Sequence, residues 1–556
     1  MINSHGSSQN GTLLKKLVFC YNQNEIMSQI SGQMEWLLET LEQDYSQQVP
    51  PEAAKIKLSQ LVGKLGFFYE KVRNAVDYNE EHLIRRNSIN RFLKRNLFLL
   101  QEKDAVKISQ ALIFEFIRAK YLPNDSLPES AIDELGAIIG RYIFILSKTP
   151  GAVLGDLDKI NQWVVTLAAC EIDEYFFTPE KDLASANFMY SHLIDNLAFT
   201  KSEIDEKEKN LQIYIAVLKN LLKADPSLIA YRLLKLYYPD WEKISGAKLE
   251  EFIGGIKEVK EKIDKRLHHP LAYQLSQTLR PQSVFFRILR QIIDENPQAA
   301  REMLSDEAKL ESAIKEICNR NYKSIRNKLI GSIARVIIYI LLTKTVLAFV
   351  VEFPYDTIFL HEVNWRALSI NVIFHPVLMF VVAMTIKVPG EKNTKIIIDE
   401  IKKIIAGDQR KIVFKPKKRM KRGSLGYIAF NVFYTIMFAI SFGIIISVLR
   451  LIHFNIVSGL LFVFFLTLVS FFGFRLRNLA NQYLVIPRRD NFANFLIDFL
   501  TLPVIRAGRF FSTNFSRINI FLFILDFIIE TPFKFVVEAS EKAVSFVKDK
   551  RDEISE

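Results

Sequence analysis

Lys344 stands inside the apolar run ARVIIYILLTKTVLAFVV, and Asn371 and His375 inside a second, ALSINVIFHPVLMFVVAM. Two further runs hold Ser441 and Ser458, each within two residues of a glycine, Gly443 and Gly459. An ionisable side chain in a long apolar segment is hard to desolvate, so it is a candidate for function by default. Lys344 and His375 could relay a proton, bind an anion or hold a lipid headgroup, with Asn371, Ser441 and Ser458 as neutral hydrogen-bonding partners. The same residues have a plainer use. Polar side chains join helices in apolar surroundings at about 0.6 kcal/mol apiece, and Lys344 is near enough to one end of its run to reach the surface. The structural role is the weightier of the two.

Four elements would position these residues. A helix needs about 20 predominantly apolar residues to cross the hydrocarbon core, and 329–351, 367–386, 425–449 and 454–474 qualify. The last two are apolar all round, unlike a soluble helix with one apolar face. At 1.5 Å per residue, antiparallel packing brings Lys344, Asn371, His375, Ser441 and Ser458 to one level, in the outer third of a four-helix bundle. Pro376 should kink the second span beside that layer.

Orientation follows from the loops that hold Lys and Arg. The chain carries a formal charge of +12, but residues 1–328 are neutral, with 44 basic and 44 acidic side chains. Loop 387–426 holds 13 basic and 4 acidic residues, and 475–517 holds seven Arg against two Asp. The charge thus lies beside apolar runs, as at a membrane, whereas a nucleic-acid protein gathers it on one face of a soluble domain. KPKKRMKR, with Lys415, Lys417, Lys418, Arg419, Lys421 and Arg422, reads as a positive-inside anchor against anionic headgroups. Two hairpins with both termini in the cytoplasm satisfy these signs. The opening MINSHGSSQNG has no apolar h-region, which places the N-terminus on the same side.

In TKIIIDEIKKIIAG, Ile397, Ile398, Ile401, Ile404 and Ile405 form one helical stripe, with Lys402 and Lys403 alongside and Gly407 as a stop. This basic amphipathic helix is expected at the inner interface, or else packed on protein. NFANFLIDFLTLPVIRAGRFF and INIFLFILDFIIETPFKFVVEA are apolar but charged, Asp526, Glu530 and Lys534 of the second falling on one helix face. Both read as interfacial or docked helices, with a fifth span as the alternative.

Residues 12–320 read as an irregular all-helical cytoplasmic domain after a polar, disordered N-terminus over 1–11, with a sub-boundary near 200–225. Breakers fall at VPPEA, LPNDSLPES, KTPGAVLGD, ADPS and YYPDW. Ile89, Phe92, Leu93, Leu97 and Leu100 recur at helical spacing, as do Ile160, Val164, Leu167 and Ile172. The remaining divisions are a first hairpin over 321–386, the basic loop 387–424, a second hairpin over 425–474 and a helical tail over 475–556.

No P-loop, GxGxxG, HExxH or GxSxG is present. Three scattered cysteines make neither a zinc framework nor a disulfide scaffold and fit a reducing compartment. Glu171, Asp173 and Glu174 read as a solvated helix end and Arg85, Arg86, Arg91, Lys94 and Arg95 as a solvated basic face. His268 and His269 read as a helix boundary. No catalytic residue, metal, cofactor or nucleic acid is indicated. The expected class is all-α: a polytopic protein of the bacterial cytoplasmic membrane. It would serve as a non-enzymatic scaffold or assembly factor that meets anionic lipid and a protein partner or further copies of itself. The alternative is a small oligomeric transporter or channel using the polar layer.

Overall fold

The computed structural model describes residues 32–42, 55–57, 81–149, 154–200, 204–408, 411–416, 423–486 and 492–517. It is all-α. The described helices are α1 (Gly32–Glu42), α2 (Glu81–Lys94), α3 (Ala105–Arg118), α4 (Ser130–Lys148), α5 (Leu154–Phe176), α6 (Glu180–Asn196), α7 (Glu206–Leu221), α8 (Pro226–Tyr237), α9 (Gly246–Gly254), α10 (Ile256–Leu267) and α11 (Pro270–Glu295). They continue with α12 (Ala300–Ser305), α13 (Glu307–Leu347), α14 (Trp365–Met384), α15 (Glu391–Ala406), α16 (Leu425–Leu451), α17 (Ile456–Ala480) and α18 (Phe492–Arg517). Two three-residue strands, β1 (Leu197–Phe199) and β2 (Ile412–Phe414), pair in parallel. Two compact units result. The first comprises 1–279, 409–415 and 522–556, the second 280–408 and 416–521, so the division falls inside α11.

In the first unit LPNDSLPES, ADPS and YYPDW fall at helix ends as expected, while VPPEA and the centre of KTPGAVLGD lie outside the described residues. Asp225 caps α8 by accepting from the Ser227 and Leu228 amides, with Pro226 in the first turn. Residues His268 and His269 separate α10 from α11. Ile89, Phe92, Leu93, Ile160, Val164, Leu167 and Ile172 are buried as their spacing requires. The Leu97–Leu100 continuation is not, because the helix widens into a π turn over Arg95–Leu99 and Phe98, Leu99 and Leu100 emerge exposed.

The charged residues of this unit depart from expectation. Glu171, Asp173 and Glu174 are no solvated helix end, and Arg85 and Arg86 no solvated face. Arg85 Nε donates to Asp173 Oδ1 at 3.1 Å, and Arg86 Nη1 lies 2.7 Å from Asp225 Oδ1. Glu171 accepts from Arg141, from Tyr142 Oη at 2.6 Å and from Trp241 Nε1 at 2.9 Å, while Glu174 pairs with Arg232. A single turn of α5 thus binds α2, α4 and α8 through desolvated charge. Burial raises the Glu171, Asp173 and Glu174 carboxyls, and the facing guanidinium groups oppose it. Cys170, among these groups, has its thiol pushed up to about 12 by burial.

The second unit holds four helices long and apolar enough to cross a membrane: 307–360, 365–384, 425–451 and 456–483. Their most apolar windows are only 17–33% buried. Ile338, Leu342, Phe349, Ile373, Phe380, Ile436 and Leu460 are among the side chains left outward. That much exposed hydrocarbon is stable in lipid and unstable in water. The chain is an integral membrane protein.

Helices α13, α14 and α17 enclose a shared core of Ile325, Leu329, Ile340, Met379, Val469 and Leu476. Helix α15 lays its isoleucine stripe against protein: Ile397, Ile398, Ile401, Ile404 and Ile405 are all buried and α15 packs on α13. Lys402 Nζ reaches Glu307 Oε1 at 2.7 Å, Lys403 pairs with Glu400, and left-handed Gly407 ends the helix as its position suggested. Helix α18 is docked rather than laid on a surface. It packs on both α16 and α17, where Phe511 meets Phe464 at 5.3 Å and Arg506 donates to Tyr434 Oη at 2.7 Å. Gly508 touches the backbone of Thr467, near the middle of α17; a Cβ there would fall 1.9 Å from the Thr467 carbonyl oxygen. The second hairpin is therefore opened, with α18 seated against both its helices. The segment 518–539, Lys417, Lys418, Arg419, Lys421 and Arg422 lie outside the described residues; Lys415 is exposed.

Two measurements check this packing. Gly508→Ala should destabilise the second unit by about 1–3 kcal/mol through overpacking. Gly443→Ala, where a Cβ meets nothing, should stay within about 0.5 kcal/mol; thermal midpoints in mild detergent compare them. For Cys170, a folded thiol raised above its unfolded value loses stability as pH climbs through about 8.5, where only the unfolded thiol ionises. Its native alkylation, followed by peptide mass spectrometry, should stay slow from about pH 7 to about pH 9 and become fast only in denaturant.

Candidate functional site

The polar layer forms at one end of the α13, α14 and α17 group. Helix α13 does not stop at Leu347. It runs on through a π turn (Ala348–Glu352), one α turn (Phe353–Tyr355) and a second π turn (Asp356–Leu360), to close on left-handed His361. The continuous helix is 54 residues long, about 80 Å at 1.5 Å per residue. The stretch EFPYDTIFL, which lies between the first two apolar runs and outside both spans read from the sequence, is helical. Each π turn inserts an extra residue and re-aims the side chains after it, and these two carry Glu352 and Asp356 inward.

Lys344, Glu352, Asn371 and His375 are all 0% exposed. Lys344 Nζ donates to Asn371 Oδ1 and lies 3.7 Å from Glu352 Oε1. The other end of the same amide, Asn371 Nδ2, donates to Glu352 Oε2 at 2.6 Å and to the Ser458 carbonyl at 3.3 Å. One asparagine thus bridges an ammonium and a carboxylate and ties both to α17. The ammonium also faces the Phe465 ring, 4.8 Å from its centroid. His375 has Nδ1 3.1 Å from the Asn371 carbonyl and Nε2 3.0 Å from the Phe462 carbonyl. A neutral imidazole has one N–H, so it can donate to only one of these oxygens at a time.

At the helix ends, Asn455 caps α17 by accepting from the Ser458 amide at 2.7 Å, and its Nδ2 donates to Asp356 Oδ1 at 2.6 Å. Asn364 caps α14 by accepting from the Ala367 amide, and donates to the His453 carbonyl. These caps lock the helix termini around the layer.

Lys344, Asn371, His375 and Ser458 are therefore brought together, the serine through its backbone carbonyl. Ser441 is buried on α16, where its hydroxyl bonds back to the Met437 carbonyl; α16 packs chiefly on α18. Glu352, Asp356 and Asn455 are additions that sequence reasoning missed. Their available signal was two carboxylates, eight and twelve residues beyond Lys344. Pro354 lies between them, at the start of a helical turn where its missing N–H is tolerated.

Removing one partner of a buried ion pair leaves an uncompensated charge and costs about 3–5 kcal/mol. Lys344→Met alone should lower the thermal midpoint of the detergent-solubilised protein by that order, whereas Lys344→Met with Glu352→Gln should recover most of the loss. A double variant as unstable as the single one would mean the charges do not act as a pair. Compared with known protein families, curated proteins and solved structures, the chain matches none, so its function is argued from these residues.

Proposed function

We propose that the protein is a non-enzymatic scaffold or assembly factor of the cytoplasmic membrane, which presents its helical first unit to a protein partner. The supporting observation is the tip formed by Phe98, Leu99 and Leu100. These three consecutive apolar side chains are 43%, 61% and 65% exposed where the π turn after α2 ends. Exposed apolar tips of this kind mark docking sites for other proteins, and an aromatic anchor is the usual centre of such contacts. The loop that leaves α15 also lends β2 to β1 of the first unit, with Leu197, Ala198 and Phe199 in register with Ile412, Val413 and Phe414. The chain therefore passes between the two units more than once. In this reading the basic loops face the cytoplasm, and Lys415 with its basic neighbours meets anionic headgroups.

A second reading, transport as an oligomer, is favoured by the buried Lys344–Glu352 pair, since ionisable groups within spans commonly line ion pathways.

Purification from native membranes in mild detergent separates the two. The scaffold reading expects a stoichiometric protein partner, lost in a Phe98→Ser, Leu99→Ser variant that still inserts into the membrane. A homogeneous homo-oligomer carrying lipid alone, unchanged in that variant, would instead favour transport.

A further inference from the structure

Helix α18 takes two arginines deep into the apolar layer of the second hairpin. Four contacts set its depth. Phe499 meets Phe433 of α16 at 5.7 Å, Arg506 donates to Tyr434 Oη at 2.7 Å, Gly508 lies on the Thr467 backbone of α17, and Phe511 meets Phe464 at 5.3 Å. From Gly508 to Phe511 the partners run back from Thr467 to Phe464, so α18 is antiparallel to α17 and advances toward the end at Ile456. Thr467 stands eleven residues from Ile456 and eight from Arg475, about 16 Å and about 12 Å at 1.5 Å per residue. Arg509, one residue past Gly508, is therefore near the centre of that apolar run. Either end is farther away than a snorkelling side chain reaches.

The arginines belong to a longer row. Asp498, Leu502, Arg506, Arg509 and Thr513 follow one another at intervals of four, four, three and four residues, which puts them within about 80° on one helix face. All five are exposed, whereas Pro503, Val504 and Gly508 are buried. Only Leu502 is apolar. The row extends about 22 Å along the helix, most of the hydrocarbon thickness. Thr513 is satisfied within its own helix, its hydroxyl donating to the Arg509 carbonyl at 2.8 Å. Arg506 has Tyr434, whose ring centroid lies 4.8 Å from its guanidinium. Among the described residues no carboxylate pairs with Arg506 or Arg509. An arginine at this depth needs water, an anion or a carboxylate to meet it, and lipid chains supply none of these.

A partner helix would have to match only the two guanidinium groups. A face that stays polar beyond them, to Asp498 on one side and Thr513 on the other, suits water instead, and positive side chains along a pore select anions. We propose that this face of α18 lines a water-filled path for small inorganic anions, with Arg506 and Arg509 as its binding residues. The path is closed by the same face of further copies of the chain, whose like charges are held apart by water and anions. It goes beyond the scaffold reading and is independent of it, since it uses neither the Phe98–Leu100 tip nor the Lys344–Glu352 pair.

Thiol labelling in native membranes reads this face directly. Thr513→Cys and Leu502→Cys leave both arginines in place, and the unsubstituted chain gives the background of the native cysteines. A membrane-impermeant, negatively charged thiosulfonate should label both positions at least about tenfold faster than its positively charged counterpart does. Ile440→Cys, at an exposed residue of α16, should stay unlabelled because it faces lipid. In vesicles of neutral lipid, with a potassium ionophore to balance charge, the full chain should release trapped chloride. Arg509→Gln should slow that release, and Arg509→Lys should keep most of it. The Phe98→Ser, Leu99→Ser variant should match wild type in both assays. Row cysteines that stay unlabelled would overturn the proposal, because lipid or a partner helix then covers the face. So would labelling with no preference for the negative reagent, or wild-type vesicles that hold their chloride.

Discussion

A charge withdrawn from water must be met within a few ångströms, and the second unit is arranged around one such meeting. Lys344 Nζ stands 3.7 Å from Glu352 Oε1, and the amide of Asn371 bridges them, satisfying each with the end of matching polarity. Because Asn371 belongs to α14 and also donates to a carbonyl of α17, the bridge fixes the relative rotation and depth of three helices at once. Apolar contacts alone do this poorly inside a bilayer, since lipid chains compete for them on nearly equal terms. The π turns, the caps at Asn364 and Asn455 and the left-handed residue at His361 follow from the need to keep Glu352 and Asp356 inside.

The first unit applies the same constraint in a soluble setting. Three carboxylates within one turn of α5 reach Arg85 and Arg86 on α2, Arg141 on α4 and Arg232 on α8. A core of leucine and isoleucine would tolerate several packings of these helices. Directional pairs between desolvated groups admit far fewer, because an alternative that leaves one charge unmatched is strongly disfavoured. In this unit buried charge acts less to add stability than to select one arrangement, with Tyr142 and Trp241 filling the remaining acceptor capacity of Glu171.

What the sequence discloses depends on how local the governing physics is. Hydropathy over some 20 residues identifies the spans, and Pro, Gly and Asp place helix ends such as Asp225–Pro226, because both effects act within a few residues. Depth along a span is also local, which is why Lys344, Asn371, His375 and Ser458 could be set at one level. Which helices adjoin is not local. Ser441 shares that depth, yet its helix packs chiefly against α18. The acidic turn of α5 looks the same in sequence whether it faces water or an arginine 88 residues earlier, as Asp173 does. Glu352 and Asp356 fall between the first two apolar runs, outside both spans, and it is the π turns that carry them inward.

The pairing of β1 with β2 bears on the order in which the protein is made. Thr200, just after β1, bonds to the Phe414 carbonyl across 214 residues of chain. Contacts so distant in sequence close late, after local helices have formed. During synthesis the helices that precede β1 emerge and begin to pack while β2 does not yet exist. Before β2 leaves the ribosome, α13 and α14 must already have been translated. Completion of the helical unit therefore waits on the making of the first pair of membrane helices. Until then the backbone of Leu197–Phe199 has an open edge, the kind of exposed strand that invites mispairing. At three residues, β1 is about as short as such an edge can be.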